Sequence, residues 1–194
     1  MEDEVDAATL EAGRARAAVR HAWSDAELVR AALTGSSAAV EALFERHWDA
    51  LHRSAYWIVH DAAAAEDIAQ EAFLAALRAL DRFDRRRPLA PWLHRVVVNR
   101  AIDHARAVRA RREVGAELVV ERAAPAVEAT DPDLLAALAT LPVDQRAIVV
   151  MRHVIGCTPT EISAALDLPR GTVNSRLRRG LDALAGQLER DHDS

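Results

Sequence analysis

The chain contains no lysine; all 25 of its basic residues are arginine. It has one cysteine, Cys157, which rules out an intramolecular disulfide and argues against a cysteine-rich zinc site. Aromatic residues make up 4% and glycine only 7 of 194 positions. So few turn formers disfavour a sheet-based fold, and the alanine- and leucine-rich remainder favours helices. No run approaches the roughly 18 apolar residues of a membrane span, so no membrane insertion is expected. The acidic stretch from Met1 to Asp6 lacks the basic and apolar regions of a signal peptide, which points to a cytoplasmic location. The eight histidines form no His-Glu-x-x-His pair, and no glycine-rich phosphate loop occurs. Cys157 has no positioned base in view and reads as a small buried residue. Catalytic residues, metal and cofactor are therefore not expected.

The formal charge is −5, which excludes a generic basic DNA coat. Its placement is uneven. From His94 to Arg112 there are six arginines (95, 100, 106, 109, 111 and 112) against Asp103, and from Leu168 to Leu181 four (170, 176, 178 and 179) with no acid. The remainder of the chain carries −14. Two basic segments on an acidic body suit two phosphate-facing surfaces, although solvated helix faces would give the same arithmetic. The acidic body should also repel duplex DNA, so the free full-length chain is expected to bind it weakly.

Periodicity divides the chain into an all-α arrangement of two small helical domains joined by a flexible linker. Residues 1–23 read as a mobile tail. Ser24 and Glu27 form a capping box before the first apolar stripe, which Gly35-Ser36-Ser37 ends. A longer helix follows from Val40 to Val59, broken by Asp61, and then another from about Ala64 to Leu80. Residues 81–91 form a charged loop with two prolines, and a helix runs from Trp92 to about Arg112. Trp92, directly before Leu93, reads as a packing residue, although a stacking platform for a base is conceivable. Residues 113–130 lose the helical period and read as the linker. The second domain, 131–194, opens at Asp131-Pro132 and turns at Leu141-Pro142.

The most informative stretch is Thr158 to Leu184. Thr158-Pro159-Thr160-Glu161 combines an N-cap, a first-turn proline and a capping-box acid. A short helix ends at Asp167-Leu168-Pro169. A second helix buries Val173, Leu177, Leu181 and Leu184 and presents Asn174, Ser175, Arg178 and Arg179. A short bracing helix, a tight turn and a polar second helix make a helix-turn-helix, about 159–178, whose asparagine and arginines suit purine edges and phosphates.

Pro169 to Arg179, with Leu141 to Met151 before it, resembles region 4 of bacterial sigma factors of the extracytoplasmic-function (group 4) branch of the sigma-70 family. Residues 65–74 (Ala-Glu-Asp-Ile-Ala-Gln-Glu-Ala-Phe-Leu) resemble region 2.2, and residues 91–103 regions 2.3 and 2.4. Two positions depart from the family's helix-turn-helix: Ser163 stands for the usual alanine and Asp167 for the usual glycine. The branch's lack of region 1.1 and of a full region 3 is expected here too.

The resemblance implies a protein without enzymatic activity that binds core RNA polymerase and directs it to promoters. Asp67, Gln70 and Glu71, spaced to share one helix side, would meet the clamp of the largest subunit. Region 4 would meet the flap of the second-largest. Asp84, Arg95, Asn99, Arg100 and Arg106 would read the melted minus-10 strand, with Asn99 in the pocket of a flipped base. Arg170, Thr172, Asn174, Ser175, Arg176, Arg178 and Arg179 would bind minus-35 DNA, Arg176 serving a phosphate or the fold. A cognate anti-sigma factor is a further expected partner. A stand-alone helix-turn-helix regulator of duplex DNA and a helical scaffold are the rival readings; neither needs an acidic clamp face or a strand-reading helix.

Overall fold

Local capping starts the helices. In this computed structural model, which describes residues 23–113 and 132–192, the Ser24 hydroxyl accepts from the Glu27 N–H while the Glu27 carboxylate accepts from the Ser24 N–H at 2.7 Å. That box opens α1 (Asp25–Leu33). Helix α2 (Ser37–Val59) starts from a Ser36 cap and ends at His60, which takes the left-handed conformation at φ 57°. Asp61 does more than break that helix. Its carboxylate caps the Ala64 N–H at 2.9 Å and starts α3 (Ala62–Arg78) two residues earlier than the apolar pattern indicates. The residues of the expected tail before Trp23, of the linker after Glu113, and the Asp131 cap lie outside the described residues.

The loop expected over 81–91 is shorter than its prolines suggest. Leu80–Arg82 forms a 3-10 turn and α4 spans Leu89–Glu113, three residues ahead of Trp92. Pro91 falls in the first turn, where its missing N–H would have no helical acceptor. Trp92 is half-buried against Phe83, ring centroids 5.0 Å apart.

Helices α2, α3 and α4 pack on one another, with α1 against α2. Leu43, Leu51, Ile58, Phe73, Val97 and Val98 lie in their interior. The polar groups there are paired. The Ser54 hydroxyl donates to the Ala50 carbonyl at 2.7 Å, which leaves its oxygen to accept from His94 Nδ1 at 3.1 Å. His47 Nε2 donates to Asp25 at 3.1 Å, and Arg46 donates to the other oxygen of that carboxylate at 2.8 Å.

The second unit comprises α5 (Pro132–Thr140), α6 (Val143–His153), α7 (Pro159–Leu166) and α8 (Arg170–His192). Helices α5, α6 and α7 all pack against α8. Gly180 sets how closely α8 can approach: a β-carbon there would lie 2.9 Å from Val149 Cγ2. The buried stripe therefore runs through Val173, Gly180 and Leu184, and Leu181, expected inside, is 38% exposed. A strict count by leucines misplaces the stripe by one position because the residue in closest contact is a glycine.

The two units meet along α6, which packs against α2 and α4; α5 also touches α2, and α7 touches α4. One buried apolar cluster runs through both, from Leu28 and Val97 to Ile148, Ile162 and Val173. Trp57 of α2 also packs against the smaller cluster of the second unit around Leu138 and Val149.

Candidate nucleic-acid interface

The helix-turn-helix is built by α7 and α8. Thr158 and Glu161 close the expected box: the carboxylate accepts from the Thr158 N–H at 2.7 Å and from its hydroxyl at 2.8 Å. Those two hydrogen bonds hold the Glu161 pKa below the usual carboxylate value, with Arg87 adding a smaller attraction. The two departures from the family pattern work together. Asp167 takes the left-handed conformation a glycine would supply, φ 52° and ψ 48°, and the Ser163 hydroxyl donates to the Leu168 carbonyl just beyond it. An aspartate tolerates that region better than most side chains, and the serine ties the turn shut.

On α8, Arg170, Asn174, Arg178 and Arg179 are exposed, while Thr172, Ser175 and Arg176 are half-buried. Ser175, expected on the outer face, turns inward along its own helix and donates to the Thr172 carbonyl at 3.0 Å. Arg179 Nε donates to the Ser175 carbonyl at 3.2 Å. Arg176 faces Asp144 of α6, Nη1 to Oδ2 at 3.6 Å.

On α4 and the loop before it, Arg95 is exposed and Arg100 half-buried. Asp84 shapes its own loop: its carboxylate accepts from the Arg86 N–H at 3.1 Å and its carbonyl from the Arg87 N–H at 2.9 Å. Asn99 is turned toward the second unit, Nδ2 donating to the Ala165 carbonyl of α7 at 3.2 Å. Arg106 Nη2 reaches Asp144 Oδ1 at 2.7 Å. Arg106 of the expected minus-10 set and Arg176 of the expected minus-35 set thus meet at Asp144.

Arg146 also went unnoticed in the sequence. Its guanidinium donates to the carbonyls of Ile58 at 2.5 Å, Ala139 at 3.0 Å and Leu141 at 3.0 Å, joining the C-terminal ends of α2 and α5. Burial lowers its pKa. Burial, and then Arg146 itself, pushes neighbouring His60 down to about 4.

The acidic face of α3 is clear of this seam. Asp67, Gln70 and Glu71 are all exposed, joined by Glu66, which accepts from Gln70 Nε2 at 3.2 Å, and by Leu74, 50% exposed on the same side. Glu66 and Leu74 follow from the same three- and four-residue spacing and extend the patch beyond the expected trio.

Comparisons with known proteins fit this architecture. Residues 43–112 match the family described as Sigma-70 region 2, and residues 132–184 match Sigma-70, region 4. The ECF RNA polymerase sigma factor SigM of Mycobacterium tuberculosis strain H37Rv is 36% identical over 170 residues, 87% of either chain. CnrH, solved in complex with the cytosolic domain of CnrY, has 28% identity and a TM-score of 0.63, over 86% of this chain and 98% of its own. The sigma factor RpoE from Bartonella quintana, solved with the anti-sigma factor NepR, shares the fold at 22% identity and a TM-score of 0.65, over 77% of this chain and 96% of its own. With both regions matched in order and on the helices that carry their motifs, the chain belongs to the extracytoplasmic-function sigma factors of the sigma-70 family.

Proposed function

We propose that this group 4 sigma factor docks on core RNA polymerase through the α3 face and directs it to promoters. The observation that carries the reading is the pairing of a region 2 and a region 4 match with three separate surfaces. One is acidic and open, and two are arginine-rich. Asp67, Gln70 and Glu71 meet the clamp of the largest subunit, where carboxylates accept charge-assisted bonds from a basic helix. The second unit meets the flap of the second-largest subunit.

Asp84, Arg95, Asn99, Arg100 and Arg106 take the melted minus-10 strand: the arginines neutralise phosphates and the Asn99 amide reads a base. Arg170, Asn174, Arg178 and Arg179 are the outward members of the minus-35 set, with Thr172, Ser175 and Arg176 behind them. A sigma factor of the same fold solved with the anti-sigma factor NepR, and CnrH solved with the cytosolic domain of CnrY, support a cognate anti-sigma factor as a further partner. The test is copurification with core polymerase. Asp67→Arg with Glu71→Arg should weaken it about 100-fold or more, because like charges then face each other across the contact. Both substitutions sit on an exposed face, so the thermal melt should not change. Undiminished copurification would remove the α3 face from the proposal.

A further inference from the structure

Asp144 occupies an unusual place. It lies in the first turn of α6, and its two carboxylate oxygens face two arginines from two different helices: Arg106 of α4 at 2.7 Å and Arg176 of α8 at 3.6 Å. On the functional reading above, those arginines serve different promoter elements. Beside them Asn99, the base reader of α4, is engaged by the Ala165 carbonyl of α7. A carboxylate and a phosphodiester each present one negative charge over two accepting oxygens, and a guanidinium fork accepts either.

We infer that Asp144 is an internal stand-in for a DNA phosphate: by holding Arg106 it latches the two units together, and by holding Arg176 of its own unit as well it withholds one arginine of each DNA-reading set. The inference rests on the sigma-factor reading for what those faces do. The acidic face of α3 stays exposed in the latched form, so polymerase can dock before the latch opens. Arg106 is 56% exposed and Asp144 33%, so this is a solvent-accessible contact that a real phosphate can displace. The seam's apolar packing supplies the bulk of the attraction. The latch decides whether that attraction prevails: Trp57 Nε1, His60 Nε2 and Arg146 Nε are buried there without a protein partner, and each works against closure.

The test uses the full-length chain in the absence of polymerase, with a duplex of about 30 base pairs of random sequence as the probe. Exposed ion pairs of this kind are worth a few-fold each, so Asp144→Asn, which removes one across the seam and one inside the second unit and frees both arginines for phosphate, should bind the probe up to about tenfold more tightly. Its radius of gyration by small-angle scattering should increase. Asp144→Glu should restore both values toward wild type. Asp182→Asn removes the same charge from an exposed position on α8 and should change neither by more than about twofold. Circular dichroism should report an unchanged helical content for all three, since asparagine keeps the size of the original side chain. An unchanged radius for Asp144→Asn would overturn the latch, with the assignment of Arg106 and Arg176 to DNA left standing. Opening without tighter duplex binding would overturn the phosphate role, and with it the assignment of Arg176 to duplex DNA. An Asp182→Asn variant that matches Asp144→Asn in both readouts would reduce the effect to net charge and overturn the inference.

Discussion

The interior of the first unit and the seam between the units bury polar groups in opposite ways. Inside α1–α4, His94, Ser54 and Ala50 form a chain of hydrogen bonds, and His47 and Arg46 share Asp25. At the seam, Trp57 Nε1, His60 Nε2 and Arg146 Nε have no protein partner, and no other buried side-chain nitrogen or oxygen among the described residues is left so. A buried donor or acceptor without a partner costs about 1–3 kcal/mol, whereas a satisfied one is close to neutral or better. The interior is built to stay closed. The seam combines apolar contact with deliberate-looking polar penalties, the composition expected of two surfaces that must part.

Acid should give the largest separation between them. His60 and His94 are both held down to about 4, by burial first, then by Arg146 for His60 and by His47 for His94. Because these values lie below the ordinary 6.5, the opened or unfolded chain binds the additional proton. The stabilising contribution is full above pH 6.5 and is lost as pH falls toward 4, by about 3 kcal/mol per histidine. The seam, with the smaller reserve, should open first: the scattering radius should rise at a milder pH than the loss of helical signal. A single coincident transition would show that the seam is no weaker than the interior.

Substitution should sharpen the contrast at a smaller scale. Ser54→Ala leaves the buried His94 Nδ1–H without its acceptor and should cost about 1–3 kcal/mol in urea denaturation. Trp57→Phe removes a donor that has no partner. It should leave stability within about 1 kcal/mol of wild type and shift the chain toward the closed form, as read by scattering. If Trp57→Phe destabilises as much as Ser54→Ala, the two environments are equivalent and the comparison fails.

The same division explains what could be read from the sequence. The boxes of Ser24 with Glu27 and Thr158 with Glu161 were legible because both partners lie three residues apart and physics requires a cap at a helix start. The apolar stripes and caps gave the α-helices, though not the 3-10 turn at Leu80–Arg82, and with them the exposed trio on α3. The beginning of α4 at Leu89 was hidden by Pro91, a breaker inside a helix but harmless in its first turn. Leu181 was misplaced because Gly180 carries no hydropathy signal although it makes the closest approach. The bonds of Arg106 with Asp144 and of Asn99 with Ala165 span 38 and 66 positions, and no local rule connects residues so far apart. The DNA-facing residue types were visible, and the company they keep in the closed chain was not.

Arg146 has a mechanical consequence. Of its three carbonyl partners, Ala139 and Leu141 belong to its own unit and only Ile58 lies across the seam. When the units part, the guanidinium gives up one acceptor and keeps two, so the corner between α5 and α6 does not loosen. The second unit can then swing as a rigid body, carrying a preset arginine that finds the end of α2 again on return. Reclosing becomes a docking of finished surfaces, with no refolding step to slow it.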